Sequence, residues 1–157
     1  MSIRVRIMTR LAALAMVAVP VILAAQAPTS ASAAEQQLFA SVNRTRRAQG
    51  LPSLKWNEAL AGAARRHAAL MAQHGSAQHG FSGEPSLASR VMQAGVRFVW
   101  VAENVIQGAS AQDIHEEFMK SANHRANILD SDMDSIGVGV VERGGQFFAV
   151  EDFCKAK

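Results

Sequence analysis

The chain has 157 residues, with 16 Lys plus Arg against 13 Asp plus Glu, and a single cysteine. Its formal charge of +3 is carried by Arg4, Arg6 and Arg10, because residues 1–33 hold no acid. The rest balances to zero and interleaves no aromatic residues among its arginines, so no nucleic-acid partner is expected, and one cysteine excludes an internal disulfide.

The first ten residues are basic, and "LAALAMVAVPVILAA" then runs uncharged from Leu11 to Ala25. Small-residue sites follow at Ala25-Gln26-Ala27 and Ala31-Ser32-Ala33. This order is that of a secretory signal peptide, placed at 1–33. The apolar run falls short of the roughly 20 residues a membrane span needs, and Pro20 interrupts it. Export to the periplasm or the medium is expected, with no stable membrane span after cleavage. A linker is placed at 34–37 and a single domain at 38–154, a length that suits one core.

Helical periodicity begins by Glu35, with Leu38, Phe39 and Val42 on one face, and Gly50 stops it ahead of Pro52. "LPSLKWN" reads as an extended loop. Asn57 is placed to cap a second helix, whose stripe runs through Leu60, Ala64, His67, Ala68 and Met71. "GSAQHGFSGEP" is a glycine-punctuated loop carrying His79. Ser86 opens a short helix that ends at Gly95. "VRFVWVAENVI" has strand character and is expected to end near Glu103. A further helix starts at Ser110 or Ala111, and His124 is placed in or beside the loop that follows it. The two apolar runs around Arg143-Gly144-Gly145 predict a terminal hairpin. Helices followed by an antiparallel hairpin indicate an α+β layered domain.

Chemistry narrows by elimination. No nucleophile motif, phosphate-cradling glycine loop, dinucleotide fingerprint or H-E-x-x-H is present. Cys154 lies close to the C-terminus and reads as a tail thiol, unpaired or intermolecular. His67, amid alanines, reads as a buried structural histidine. His79 and His124, in segments rich in small polar residues, and Glu103, an acid closing an apolar run, are the remaining candidates. Two imidazoles and a carboxylate would make an open zinc-type set, although spacing alone does not bring them together.

Four blocks, "VNRTRRAQGLPSLKWNEALAGAARRHAALMA", "AENVI", "FMKSANHRANIL" and "SIGVGVV" with "FFAVEDF", occur in this order and resemble the CAP superfamily (cysteine-rich secretory, antigen 5 and pathogenesis-related proteins, or SCP domains). The likeness is to its short bacterial members. It implies a three-layer α-β-α sandwich with a central antiparallel sheet and a cleft that gathers two histidines and two glutamates. Carried over residue by residue, the histidines fall on His79 and His124 and the first glutamate on Glu103. The second glutamate's place is taken by Ser121, a departure that removes one acid. Zinc or another divalent metal on His79 and His124 is implied as a cofactor. Glu103 is left as the one candidate for a catalytic base, since Glu151 reads as an outward-facing strand acid.

Three functions remain open: a non-enzymatic binding domain for a small or lipid ligand or an envelope component, a metal-dependent hydrolase of peptides or envelope polymers, and a structural domain without metal. The missing acid at Ser121 favours binding.

Overall fold

The computed structural model describes residues 31–157, so all but the last three residues of the expected signal peptide lie outside it. Along the described chain run α1 (Ala33–Ala48), β1 (Lys55–Trp56), α2 (Glu58–His74), α3 (Leu87–Gln93), β2 (Phe98–Gly108), α4 (Ala111–Lys120), α5 (Ala122–Leu129), β3 (Ser135–Arg143) and β4 (Gln146–Ala156). The strands form one sheet in the order β1-β3-β4-β2. Its three long strands are antiparallel, as expected, while the two-residue β1 pairs parallel to β3 and makes the sheet mixed. Helix α2 covers one face, with α3 beside it. Helices α1, α4 and α5 cover the other, completing three layers. No helix among the described residues is long and apolar enough to cross a membrane.

Local chemistry explains most boundaries. Asn57, Ser86 and Ser110 each accept a backbone N–H from the first turn of the helix they open. Helix α1 starts earlier than expected, and the linker at 34–37 is helical. The reason is a capping box, in which Ser32 accepts from Glu35 N and the Glu35 carboxylate accepts from Ser32 N. Glu35 also takes a two-pronged contact from Arg65, at 2.9 Å on each oxygen, which ties α1 to α2. Strand β2 outruns its expected end at Glu103 by five residues because it pairs with β4 all the way to Gly108.

Small residues set the distance between α2 and the sheet. A Cβ at Gly137 would strike the backbone of Leu60 and Ala61, and one at Gly139 that of Ala64 and Arg65. The bare strand and the alanine face of α2 therefore lie directly on each other. On the opposite face Leu38, Val42, Ile114, Phe118, Ile128, Ile136 and Phe153 form the larger core. Arg46, fully buried, donates to the carbonyls of Pro52, Ile128, Asp130 and Met133 and clamps the loops after α1 and α5.

Cys154 corrects the reading of a tail thiol. Strand β4 continues to Ala156 between two neighbours, and Cys154 lies fully buried against Leu60, Val91 and Val96. Burial pushes its thiol up to about 11, so it is neither reactive nor available for an intermolecular bond.

Candidate functional site

Strand β2 carries Glu103 and Asn104 side by side, and the pleat sends them to opposite faces of the sheet. Because β2 is the last strand in the order, the two faces meet around its free edge. The candidate site is built on this edge.

On the α2/α3 face, His79 comes from the loop after α2 and its Nδ1 meets Glu103 Oε1 at 2.9 Å. The carboxylate fixes the ring and leaves Nε2 toward solvent, with 65 % of the side chain exposed. The other oxygen of Glu103 takes a short bond from Arg90 Nη2. Arg90, on α3, also bonds Glu84 at 2.9 Å and the His79 carbonyl at 3.3 Å. His67 Nδ1 meets Glu84 at 2.7 Å and His67 Nε2 meets Gln78 O at the same distance. Burial works against the charge on Glu84, but His67, Arg90 and the Phe81 N–H outweigh it and hold the carboxyl below its ordinary range. Asp152, the cross-strand partner of Glu103, is buried with neither oxygen bonded to a donor among the described residues. Burial, and then the neighbouring charge of Glu103, raise it well above the usual carboxyl range.

On the α4/α5 face, His124 sits on α5, not in a loop. The turn at Ser121 ends α4 and opens α5 at once, and the polar helix "ANHRANIL" has too little apolar periodicity to announce itself. The His124 ring packs edge-on against Phe118 at 5.1 Å, and its Nδ1 is buried without a partner among the described residues. Burial, then the charge of His79, lower its affinity for a proton. Asn104 holds the backbone of His124, as its neighbour Glu103 holds the ring of His79, so β2 anchors both histidines. Asn104 donates to the His124 carbonyl and to Glu151, and accepts from Asn127 at 2.8 Å. Glu151 is another correction: it is fully buried, not outward-facing, because helices cover both faces of the sheet. Burial pushes its carboxyl up to about 8, with the Asn104 bond opposing.

Of the residues singled out in the sequence, the structure joins His79 to Glu103 and sets His124 on the other face of the sheet, while Arg90, Glu84 and Asp152, which have no motif, meet Glu103 and its partners only through the fold. Ser121 stands at the α4/α5 junction and makes no capping bond; no contact joins it to His79 or Glu103 among the described residues. The donor set does not fit a zinc centre with three protein ligands. Glu103 has both oxygens engaged, and no group of three or more His, Cys, Asp or Glu among the described residues is arranged to hold a metal ion.

Comparison with known proteins follows the same outline. The model of the cysteine-rich secretory protein family, CAP, matches residues 39–153. The YkwD protein of Bacillus subtilis is 31 % identical over 119 residues, which cover 75 % of this chain and 46 % of YkwD. The chain therefore spans about half the length of this curated relative. Among solved structures, an extracellular SCP-domain protein of Bacillus anthracis superposes with a TM-score of 0.73 at 25 % identity, covering 78 % of this chain and 40 % of that one. An outer surface protein of Borrelia burgdorferi gives the same TM-score at 18 % identity, covering 79 % and 93 %.

Proposed function

The chain belongs to the cysteine-rich secretory protein family, and from that premise we propose that it is an exported, non-enzymatic binding domain whose site is the His79/Glu103/His124 edge of β2. The observation that carries this reading is the double engagement of Glu103. Its oxygens serve His79 and Arg90, so the carboxylate that would be a hydrolase's base is committed to holding a ring in place. What reaches solvent is an oriented imidazole, a donor or acceptor for a small polar ligand. A divalent metal here would find two imidazoles and take its other ligands from solvent or from the bound molecule. Export rests on the leader-like residues 1–33 and on the extracellular SCP-domain protein that the chain resembles.

One observation favours a hydrolase as the second reading. A buried carboxylate fixing Nδ1 of an exposed histidine leaves Nε2 poised as a general base. It lacks a partner to activate, since no third protein ligand among the described residues holds a metal-bound water.

Zinc calorimetry and peptide and peptidoglycan hydrolysis assays on residues 31–157, beside a His79→Ala/His124→Ala variant, decide between them. The expected outcome is no turnover, with any zinc binding weak and lost in the double variant. Turnover that disappears with His79 would replace the binding reading by the hydrolase. Identical behaviour of the two proteins in every assay, and in retention of a small molecule by native mass spectrometry, would leave the histidines structural.

A further inference from the structure

The large apolar side chains most exposed among the described residues are Met92 at 59 % and Val99 and Trp100 at 61 % each. All three lie at one end of the molecule, where β2 begins. Two shallow cavities flank them, one of about 430 Å³ between Met92, Phe98 and Lys157, the other of about 340 Å³ beside Val99, Trp100 and Lys155. A regular strand would send Val99 and Trp100 to opposite faces. Here a bulge interrupts the pairing, with Phe98 opposite Ala156 and Trp100 opposite Lys155, so Val99 is the extra residue and both side chains face outward. An apolar pair on an edge strand attracts other surfaces unless something covers it.

Three cations frame the pair. Arg97 and Lys157 are exposed, make no ion pair among the described residues, and are joined through the Lys157 N–H to the Arg97 carbonyl at 3.2 Å. Lys155 shares a loose 3.6 Å contact with exposed Asp132, which offsets part of its charge. A second copy of this chain would set these cations against their own kind, so the charge pattern disfavours self-association. The side chains protrude, which needs no matching socket in the partner. Tryptophan beside lysine and arginine is the combination that sits at a lipid–water boundary, ring among the headgroups and cations on anionic phosphates.

We propose that the Met92/Val99/Trp100 patch, with Arg97, Lys155 and Lys157, docks the domain onto an anionic membrane surface. This surface lies apart from the His79 site, whose ligand it would bring close to the bilayer.

The test is cosedimentation of residues 31–157 with vesicles of equal phosphatidylglycerol and phosphatidylcholine, and with phosphatidylcholine alone, at about 0.1 M salt, where screening acts over ~10 Å. The truncation removes the apolar leader, which would bind vesicles by itself. Expected is binding to the anionic vesicles that weakens as salt rises. Trp100→Ala should lower the partition coefficient roughly tenfold, and Arg97→Gln and Lys157→Gln roughly fivefold each. Brominated lipid should quench the emission of the parent and not that of Trp100→Phe, in which Trp56 is the sole emitter. Absence of binding to anionic vesicles overturns the proposal, as does binding that Trp100→Ala and Val99→Ser leave unchanged. A parent that ignores vesicles but dimerises in the ultracentrifuge, with the dimer lost in Trp100→Ala, would assign the patch to a second copy instead.

Discussion

Glu103 and Glu151 occupy similar depths on neighbouring strands, one on each face of the sheet, and meet opposite fates. Glu103 faces a guanidinium and an imidazole and spends both oxygens on them. Glu151 faces one amide, that of Asn104, and burial pushes its carboxyl up to about 8. Depth is the same, so the difference comes from countercharge. Glu151, with only an amide to oppose the cost of burial, is the one of the pair whose carboxyl is pushed up.

The largest blow to this contrast is to remove the cation. Arg90→Met leaves Glu103 and Glu84 buried with an ion partner gone, and should cost about 3–5 kcal/mol, read from urea unfolding at pH 7. It should also loosen His79, seen as averaging of its ring resonances. Next is Glu151→Gln. The folded chain keeps the Glu151 proton up to about pH 8, while the unfolded chain gives it up near 4.5. The folded state therefore binds more protons between those values, and stability falls as pH rises through that window and levels off above it. The glutamine variant should lose this slope, roughly 1 kcal/mol per pH unit, and be the more stable of the two at pH 8.5. A urea series from pH 5 to 9 that shows parallel curves would sink the assignment.

Asn104→Ala sharpens the contrast from the other side. It removes the one contact that lowers Glu151 and the bonds to the His124 carbonyl and Asn127, and should cost about 1–3 kcal/mol. The smallest effect belongs to His79→Ala. It removes the charge that adds to burial in depressing His124, so the His124 ring should titrate higher in a proton NMR series.

Much of this arrangement was legible in the sequence, for reasons particular to each element. Caps at Asn57, Ser86 and Ser110 depend on a side chain and its own first turn, and so were local enough to read. The Ser32-x-x-Glu35 capping box was equally local, but a small-residue stretch invites a cleavage-site reading and the signature went unused. Glu151 was misread because in-or-out alternation presumes a solvated face. Phe148 through Cys154 are all buried, on both parities, since this sheet has no wet side. Arg90 lies 13 residues from Glu103 and 23 from His67 with no spacing rule to link them; only the seating of α3 against β2 brings them together.

The Arg46 clamp has a consequence for where this fold can form. Four carbonyls, one from the loop after α1 and three from the end of α5 and the loop beyond it, converge on one guanidinium, a cross-brace of the kind small exported domains often make with cystines. Thiol chemistry can neither make nor break that brace, and the chain's one thiol is sealed in the sheet. Assembly should therefore be indifferent to redox potential: the domain needs no oxidant to mature, and a reductant added afterward should leave its unfolding midpoint where it was.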